Sequence, residues 1–123
     1  MPSSLGVLLI SGGHERAQYA FMMAAGAAAL GREVVLFATN AGCRALMPGA
    51  FAGDAREAEA VAKGVAGVAE LAAVLAELGV RRIACEAGLR MTGAEGAALE
   101  DGVEVAGIAT FLEAVGTGQI VTL

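Results

Sequence analysis

At 123 residues and 12.2 kDa the chain has the size of one compact domain, read here as residues 1–123, which argues against separate substrate and cofactor domains. Hydrophobic residues make up 57% of it but aromatic ones only 4%, and 29 alanines carry much of the apolar mass, so disorder is excluded and the core is assembled from many small contributions. A net charge of −5, with Lys63 the only lysine and Arg81-Arg82 the only adjacent basic pair, argues against a nucleic-acid partner.

Leu5–Ile10 is a short apolar run that ends in Ser-Gly-Gly and predicts a strand buried on both faces. Residues 15–30 carry a helical pattern that stops at Gly31. Glu33–Ala38 predicts a second strand, closed by the turn-forming Thr39-Asn40-Ala41-Gly42. Cys43–Met47 reads as a short helix ended by Pro48-Gly49, and Ala55–Lys63 as another. Val68–Leu78 repeats apolar residues at helical spacing and ends at Gly79. Val80–Cys85 predicts a third strand, Glu86–Met91 a short helix, Val103–Val105 a brief strand, Ile108–Val115 a helix and Gln119–Leu123 a last strand.

Strands that alternate with helices through Gly-containing turns predict an α/β fold, a flavodoxin-like three-layer domain with a mainly parallel sheet of about five strands. In such sheets the ligand or reactive group sits beyond the carboxyl ends of the strands. Those ends carry Ser11-Gly12-Gly13-His14, Thr39 to Cys43, Cys85-Glu86-Ala87-Gly88 and Ala106-Gly107. Both cysteines therefore fall at or near one edge. The most apolar stretch, Ala17–Leu30, contains Gln18 and is shorter than the roughly 18 uncharged residues a membrane helix needs, so no membrane association is expected. Met1-Pro2-Ser3-Ser4 lacks the basic start of a secretory signal, and the expected location is the cytoplasm, with both cysteines as free thiols.

Cys85 is the principal chemical candidate. It ends a strand and opens a helix, where unsatisfied main-chain N–H groups and the positive helix end favour a thiolate. Arg90 is placed to fold back toward that sulfur or a bound anion, and the N–H groups of Ala87 and Gly88 to assist, whereas Glu86 opposes ionisation. The alternative is that Cys85 is a small buried residue finishing an apolar strand. Cys43, between Gly42 and Arg44, reads either as a resolving thiol or as a small residue tucked at a helix start; a disulfide requires Cα atoms within about 7 Å.

Gly12 and Gly13 lie in a strand-to-helix loop of the kind that suits anions, but with neither G-x-G-x-x-G nor a Walker lysine, dinucleotides and triphosphates have little support. His14, the only histidine, is a candidate acid, base or neighbour of the sulfur; its bland reading is an exposed, idle loop residue. No aromatic residue stands at the strand ends to stack on a flavin, and Glu95, Glu100, Asp101 and Glu104 have no histidine nearby and read as a solvated acidic face. No cofactor and no metal are expected.

The segments Ile10–Ala17, Gly31–Phe37 and Ala84-Cys85-Glu86-Ala87-Gly88-Leu89-Arg90-Met91-Thr92-Gly93 resemble the DsrE/DsrF-like family, which includes the DsrE and TusD sulfur-relay subunits. The tail Leu99–Gly107, followed by Ala109–Leu112, is similar to members sometimes labelled peroxiredoxin-like. The strand-terminal cysteine, followed by Arg at the fifth position and Gly at the eighth, is the most specific element. The resemblance implies that Cys85 carries persulfide sulfur, that the protein is a sulfurtransferase-like relay component, that it assembles as a trimer or hexamer, and that a TusA-like protein donates the sulfur. Cys43 receives no role from it, and Glu86-Ala87-Gly88 is not a fixed family signature. The competing expectations are a non-catalytic oligomeric module that binds a small anion or partner while Cys85 packs, and a two-cysteine peroxide reductase. The surplus apolar face of the Ala17–Leu30 helix is the expected subunit contact.

Overall fold

The computed structural model describes residues 3–123; Met1 and Pro2, part of the segment read for a secretory signal, lie outside them. Five strands, β1 (Leu5–Leu9), β2 (Val34–Ala38), β3 (Arg81–Cys85), β4 (Glu104–Ala106) and β5 (Gln119–Thr122), form one sheet in the order β4-β3-β2-β1-β5. Every neighbouring pair is parallel, with Leu5 opposite Val34 and Gln119, and Ala38 opposite Ala84. Parallel pairing demands a crossover between strands, and the chain supplies α1 (His14–Ala29), α2 (Ala55–Ala62), α3 (Val68–Glu77), α4 (Glu86–Met91) and α5 (Ile108–Val115), plus a 3₁₀ segment at Asn40–Leu46. The expected three-layer α/β arrangement is what forms, and the helix and strand boundaries shift from those expected by only a residue or so at either end. The clearest change is that the short helix expected at Cys43–Met47 starts at Asn40 and winds as 3₁₀.

The two sheet faces are covered unequally. Leu5, Val7 and Leu9 of β1, with Val34 and Leu36 of β2, pack against Ala17, Ala20, Phe21 and Ala24 of α1 and Leu71 and Leu75 of α3. Alanines let α1 lie close to the sheet, so this layer is thin and continuous. The opposite face is smaller: Val35, Phe37, Ile83 and Cys85 pack beneath Phe111 and Val115 of α5, with Phe37 and Phe111 stacked at 4.9 Å between ring centroids. Gly6 makes the fit possible, because a Cβ there would sit 2.5 Å from Val115 Cγ2 and 2.8 Å from Phe111 Cζ.

The chain moves outward from β1 through β2 and β3 to β4, then returns across the sheet to β5 on the other side of β1. The topological switch therefore lies between β1 and β5, the usual ligand crevice of such sheets. Here the main chain occupies it, since Ile10 and Ser11 both donate their N–H groups to the Leu123 carbonyl. The 3₁₀ segment and α4 lie side by side at the same carboxyl edge, over β2 and β3.

Candidate functional site

Cys85 is the last residue of β3 and the N-cap of α4, with extended backbone angles of φ −68° and ψ 121°. An N-cap side chain ordinarily offers an oxygen to the free N–H groups of the first turn. In this chain the sulfur takes that place, and Gly88 N–H donates to Cys85 Sγ at 3.4 Å. Of the two expected donors, Gly88 is thus the one that engages the sulfur; Ala87 makes no side-chain contact of this kind. Only 6% of Cys85 is exposed, so the thiol looks into the layer beneath α5 rather than into solvent.

Gly88 sets the position of the whole turn. A Cβ on it would collide with the main-chain nitrogen of Asn40 and with Thr39 Oγ1, so only glycine lets α4 press against the end of β2. At that contact Asn40 adopts φ +49°, a left-handed conformation that asparagine tolerates better than most side chains. The 3₁₀ segment that Asn40 opens carries Cys43, which is 1% exposed and donates its thiol to the Ala38 carbonyl at 3.4 Å. Burial pushes the Cys43 thiol above its ordinary range; the main-chain N–H of Cys85 opposes that rise, and negative charge on Cys85 adds to it. The turns that carry the two cysteines pack together at the ends of β2 and β3, and both are free thiols.

Arg90 departs from its expected position. Its guanidinium is exposed and held between Glu86 at 3.4 Å and Glu95 at 3.3 Å, so the expected arm over the sulfur is corrected to a surface ion-pair relay. The physical reason is spacing: Glu86 lies one helical turn before Arg90 on the same face of α4. The acidic stretch is likewise divided among partners, with Glu95 on Arg90 and Glu104 gripping Arg81 at 2.7 and 3.0 Å across β3 and β4.

Gly12 and Gly13 do not form an open anion cradle. Gly13 N–H is turned toward Ser11 Oγ, Gly12 lies against Ala41, and the Gly12 carbonyl receives Arg44 Nη1. Arg44 also stacks on Phe51, 4.4 Å from the ring centroid, and binds the Ala50 carbonyl, which ties this loop to the 3₁₀ segment.

His14 is neither exposed nor idle. It is 6% exposed, meets Phe51 edge-on at 5.2 Å, and shares a 2.6 Å hydrogen bond with Glu57 on α2. Glu57 accepts in turn from the N–H groups of Val68 and Ala69 at the start of α3. Burial alone raises the Glu57 carboxyl, but the bonds from His14, Ala69 and Val68 outweigh it and hold the group below the ordinary carboxylate range. A cleft of about 300 Å³ opens beside His14 between α1 and α2, where Gln18, Tyr19 and Lys63 also line it. Glu57 is the functional-looking residue that sequence reasoning missed, and its only local signal is its place one turn into a helix capped by Asp54.

Fold and site together describe a three-layer α/β protein whose candidate chemistry is a cysteine at the junction of strand and helix. The sequence matches the DsrE/DsrF-like family over residues 4–123, and the chain belongs to that family. Its fold is also that of the crystal structure of the ychN protein from E. coli, with a TM-score of 0.78 over 99% of this chain and 100% of that one, at 14% sequence identity. No curated protein matches the sequence. Among the described residues no helix is long and apolar enough to cross a membrane.

Proposed function

We propose that the protein is a sulfur carrier, in which Cys85 accepts sulfur from a donor persulfide and passes it to the cysteine of a partner. Membership of the DsrE/DsrF-like family supports a sulfur-relay role in general. The observation that carries the particular residue is the capping geometry: the Cys85 sulfur sits at the open end of α4 with Gly88 N–H directed at it. A hydrogen-bond donor so placed offsets negative charge on the attacking sulfur, and does so again when sulfur leaves.

The reaction is a sulfur exchange. Cys85 sulfur attacks the outer sulfur of the donor's –S–SH, the donor thiolate departs, and Cys85 holds –S–SH until an acceptor thiolate attacks that same outer sulfur. Because Cys85 is 6% exposed, exchange requires the first turn of α4 to open at the carboxyl edge. A TusA-like protein fits the donor role, and identical subunits meeting through the apolar outer faces of α1 and α5 fit the assembly.

Incubation with a persulfide donor is expected to add about 32 Da, the mass of one sulfur atom, to the wild-type chain and nothing to Cys85→Ser. Uptake of sulfur by Cys85→Ser would sink the assignment. The burial of Cys85 favours a second reading, a binding module in which the thiol only packs. Iodoacetamide near neutral pH separates the two: a carrier thiol alkylates in the folded protein, and a packing thiol reacts only on unfolding.

A further inference from the structure

Cys43 has no part in the carrier chemistry, yet it is held against it. Its thiol bonds the carbonyl of Ala38, the residue paired in register with Ala84, which immediately precedes Cys85. The close seating of Gly88 on Thr39 and Asn40 presses the two thiol-bearing turns together, with α4 packed along the 3₁₀ segment. Their side chains pack into different layers, Cys43 with the α1–α3 core and Cys85 beneath α5, and the sheet that separates those layers ends at this point.

We propose that Cys43 is a resolving thiol: when no acceptor takes the sulfur, it attacks the inner sulfur of the Cys85 persulfide, closes a Cys43–Cys85 disulfide and releases sulfide. The proposal rests on the carrier reading of Cys85. The step is balanced. Cys43-SH and Cys85-S-SH give Cys43-S-S-Cys85 and H₂S; the bond to the outer sulfur breaks, the Cys43 sulfur is oxidised, the outer sulfur is reduced, and it leaves with both hydrogens. No external oxidant is needed, because the carried sulfur is itself the electron acceptor. To close the bond Cys85 must give up the Gly88 N–H contact and turn toward the 3₁₀ segment.

Burial, which pushes the Cys43 thiol up, makes this discharge slow rather than immediate. A protonated, enclosed thiol leaves the persulfide time to reach a partner. The pair would thus set a lifetime on the loaded state, returning an unclaimed sulfur as sulfide and leaving an oxidised chain that must be reduced by a thiol before it carries again.

The test loads the full-length protein with inorganic polysulfide in the absence of oxygen, removes the excess, and follows sulfide release and intact mass together. Wild type is expected to lose the added sulfur and settle about 2 Da below the reduced chain, with one sulfide released per chain and a Cys43–Cys85 link in a non-reducing peptide map. Cys43→Ser and Cys43→Ala are expected to keep the added sulfur roughly tenfold longer or more. Equal lifetimes in wild type and both variants, or a disulfide joining two chains instead of Cys43 to Cys85, overturn the proposal and leave the carrier intact. Absence of uptake on Cys85 in every protein overturns the carrier reading and the discharge with it. The wild-type peptide map decides the pairing even if a variant folds poorly.

Discussion

Glu57 joins α1, α2 and α3 through one carboxylate, which takes hydrogen bonds from His14 Nε2 and from the N–H groups of Val68 and Ala69. Removing this partly buried acceptor strands the donors that water cannot reach, the buried His14 above all, and such a donor carries a desolvation penalty. Glu57→Gln is therefore expected to destabilise the protein by about 1–3 kcal/mol, read as a lower urea midpoint at neutral pH. The sign of the pH effect follows from a carboxyl held lower in the fold than in the unfolded chain. Its contribution is fully present above the ordinary glutamate pKa and is lost as pH falls through that value toward the folded one. Wild type should then lose more stability than Glu57→Gln on acidification from neutral pH to below the glutamate range. Equal losses in the two proteins would show that the contact is not under strain from protonation. Nothing in the sequence announces this contact, because 43 positions separate His14 from Glu57 and only the packing of α2 over α1 brings them together.

At the scale of elements, local chemistry determines more than the contacts do. The apolar runs of β1, β2 and β3 and the helical spacing of α1 and α3 are strong enough that their observed limits, Leu5–Leu9 or Val68–Glu77 for instance, follow the pattern to within a residue or so. Gly31 and Gly79 stop α1 and α3 from positive φ, +88° and +72°, the conformation that favours glycine after a helix. The 3₁₀ segment was less legible, since Asn40-Ala41-Gly42 reads as a turn and becomes helical only because Gly42 N–H binds the Ile10 and Thr39 carbonyls. Arg90 is illegible for the reverse reason: its distance from Cys85 along the chain is compatible with a return to the sulfur, but Glu86, one helical turn away, and Glu95 on the other side hold its guanidinium at the surface. The α4 contact supplies its own prediction. Gly88→Ala drives a Cβ into the main chain of Asn40, which cannot rotate away, and overpacking of this kind costs about 1–3 kcal/mol. A fall in Tm of roughly 4–12 °C is expected, with faster alkylation of Cys85 as α4 lifts. An unchanged Tm would mean that α4 moves freely against β2.

For the whole molecule the inequality of the two sheet faces matters most. α1 buries Ala17, Ala20, Phe21 and Ala24 but leaves Tyr19 and Met23 exposed, with Leu30 exposed at its C-cap, as a helix with few polar positions must. On the other side α5 buries Phe111 and Val115 while Ile108 and Leu112 are each half exposed, and Ile120 of β5, opposite Gly6, lies exposed on the same sheet face. Apolar surface gathered on one short helix and one strand of the same face suits a second copy of the chain. Wild type is expected to elute from size exclusion as an oligomer, and Leu112→Asp, which places a charge at the centre of the α5 face, to shift toward the monomer. A wild-type protein that stays monomeric on dilution and concentration alike would count against the assembly. Oligomerisation through α5 would also enclose the layer that holds Cys85, so loss of assembly should speed its alkylation.

Composition, hydrophobic period and the glycine stops determined the α/β class, the order of elements and the placing of both cysteines at the carboxyl edge, because those features act through near neighbours along the chain. The family resemblance was legible for the same reason, carried by the continuous segment Ala84–Gly93. Tertiary structure alone decided the rest: that Gly88 rather than Arg90 attends the Cys85 sulfur, that His14 is buried against Glu57, that Ile10 and Ser11 close the β1–β5 crevice on Leu123, and that the turn carrying Cys43 packs against α4. Each of those depends on which strands pair and in what register. That choice is made by burial summed over the whole sheet, which no local stretch of sequence contains.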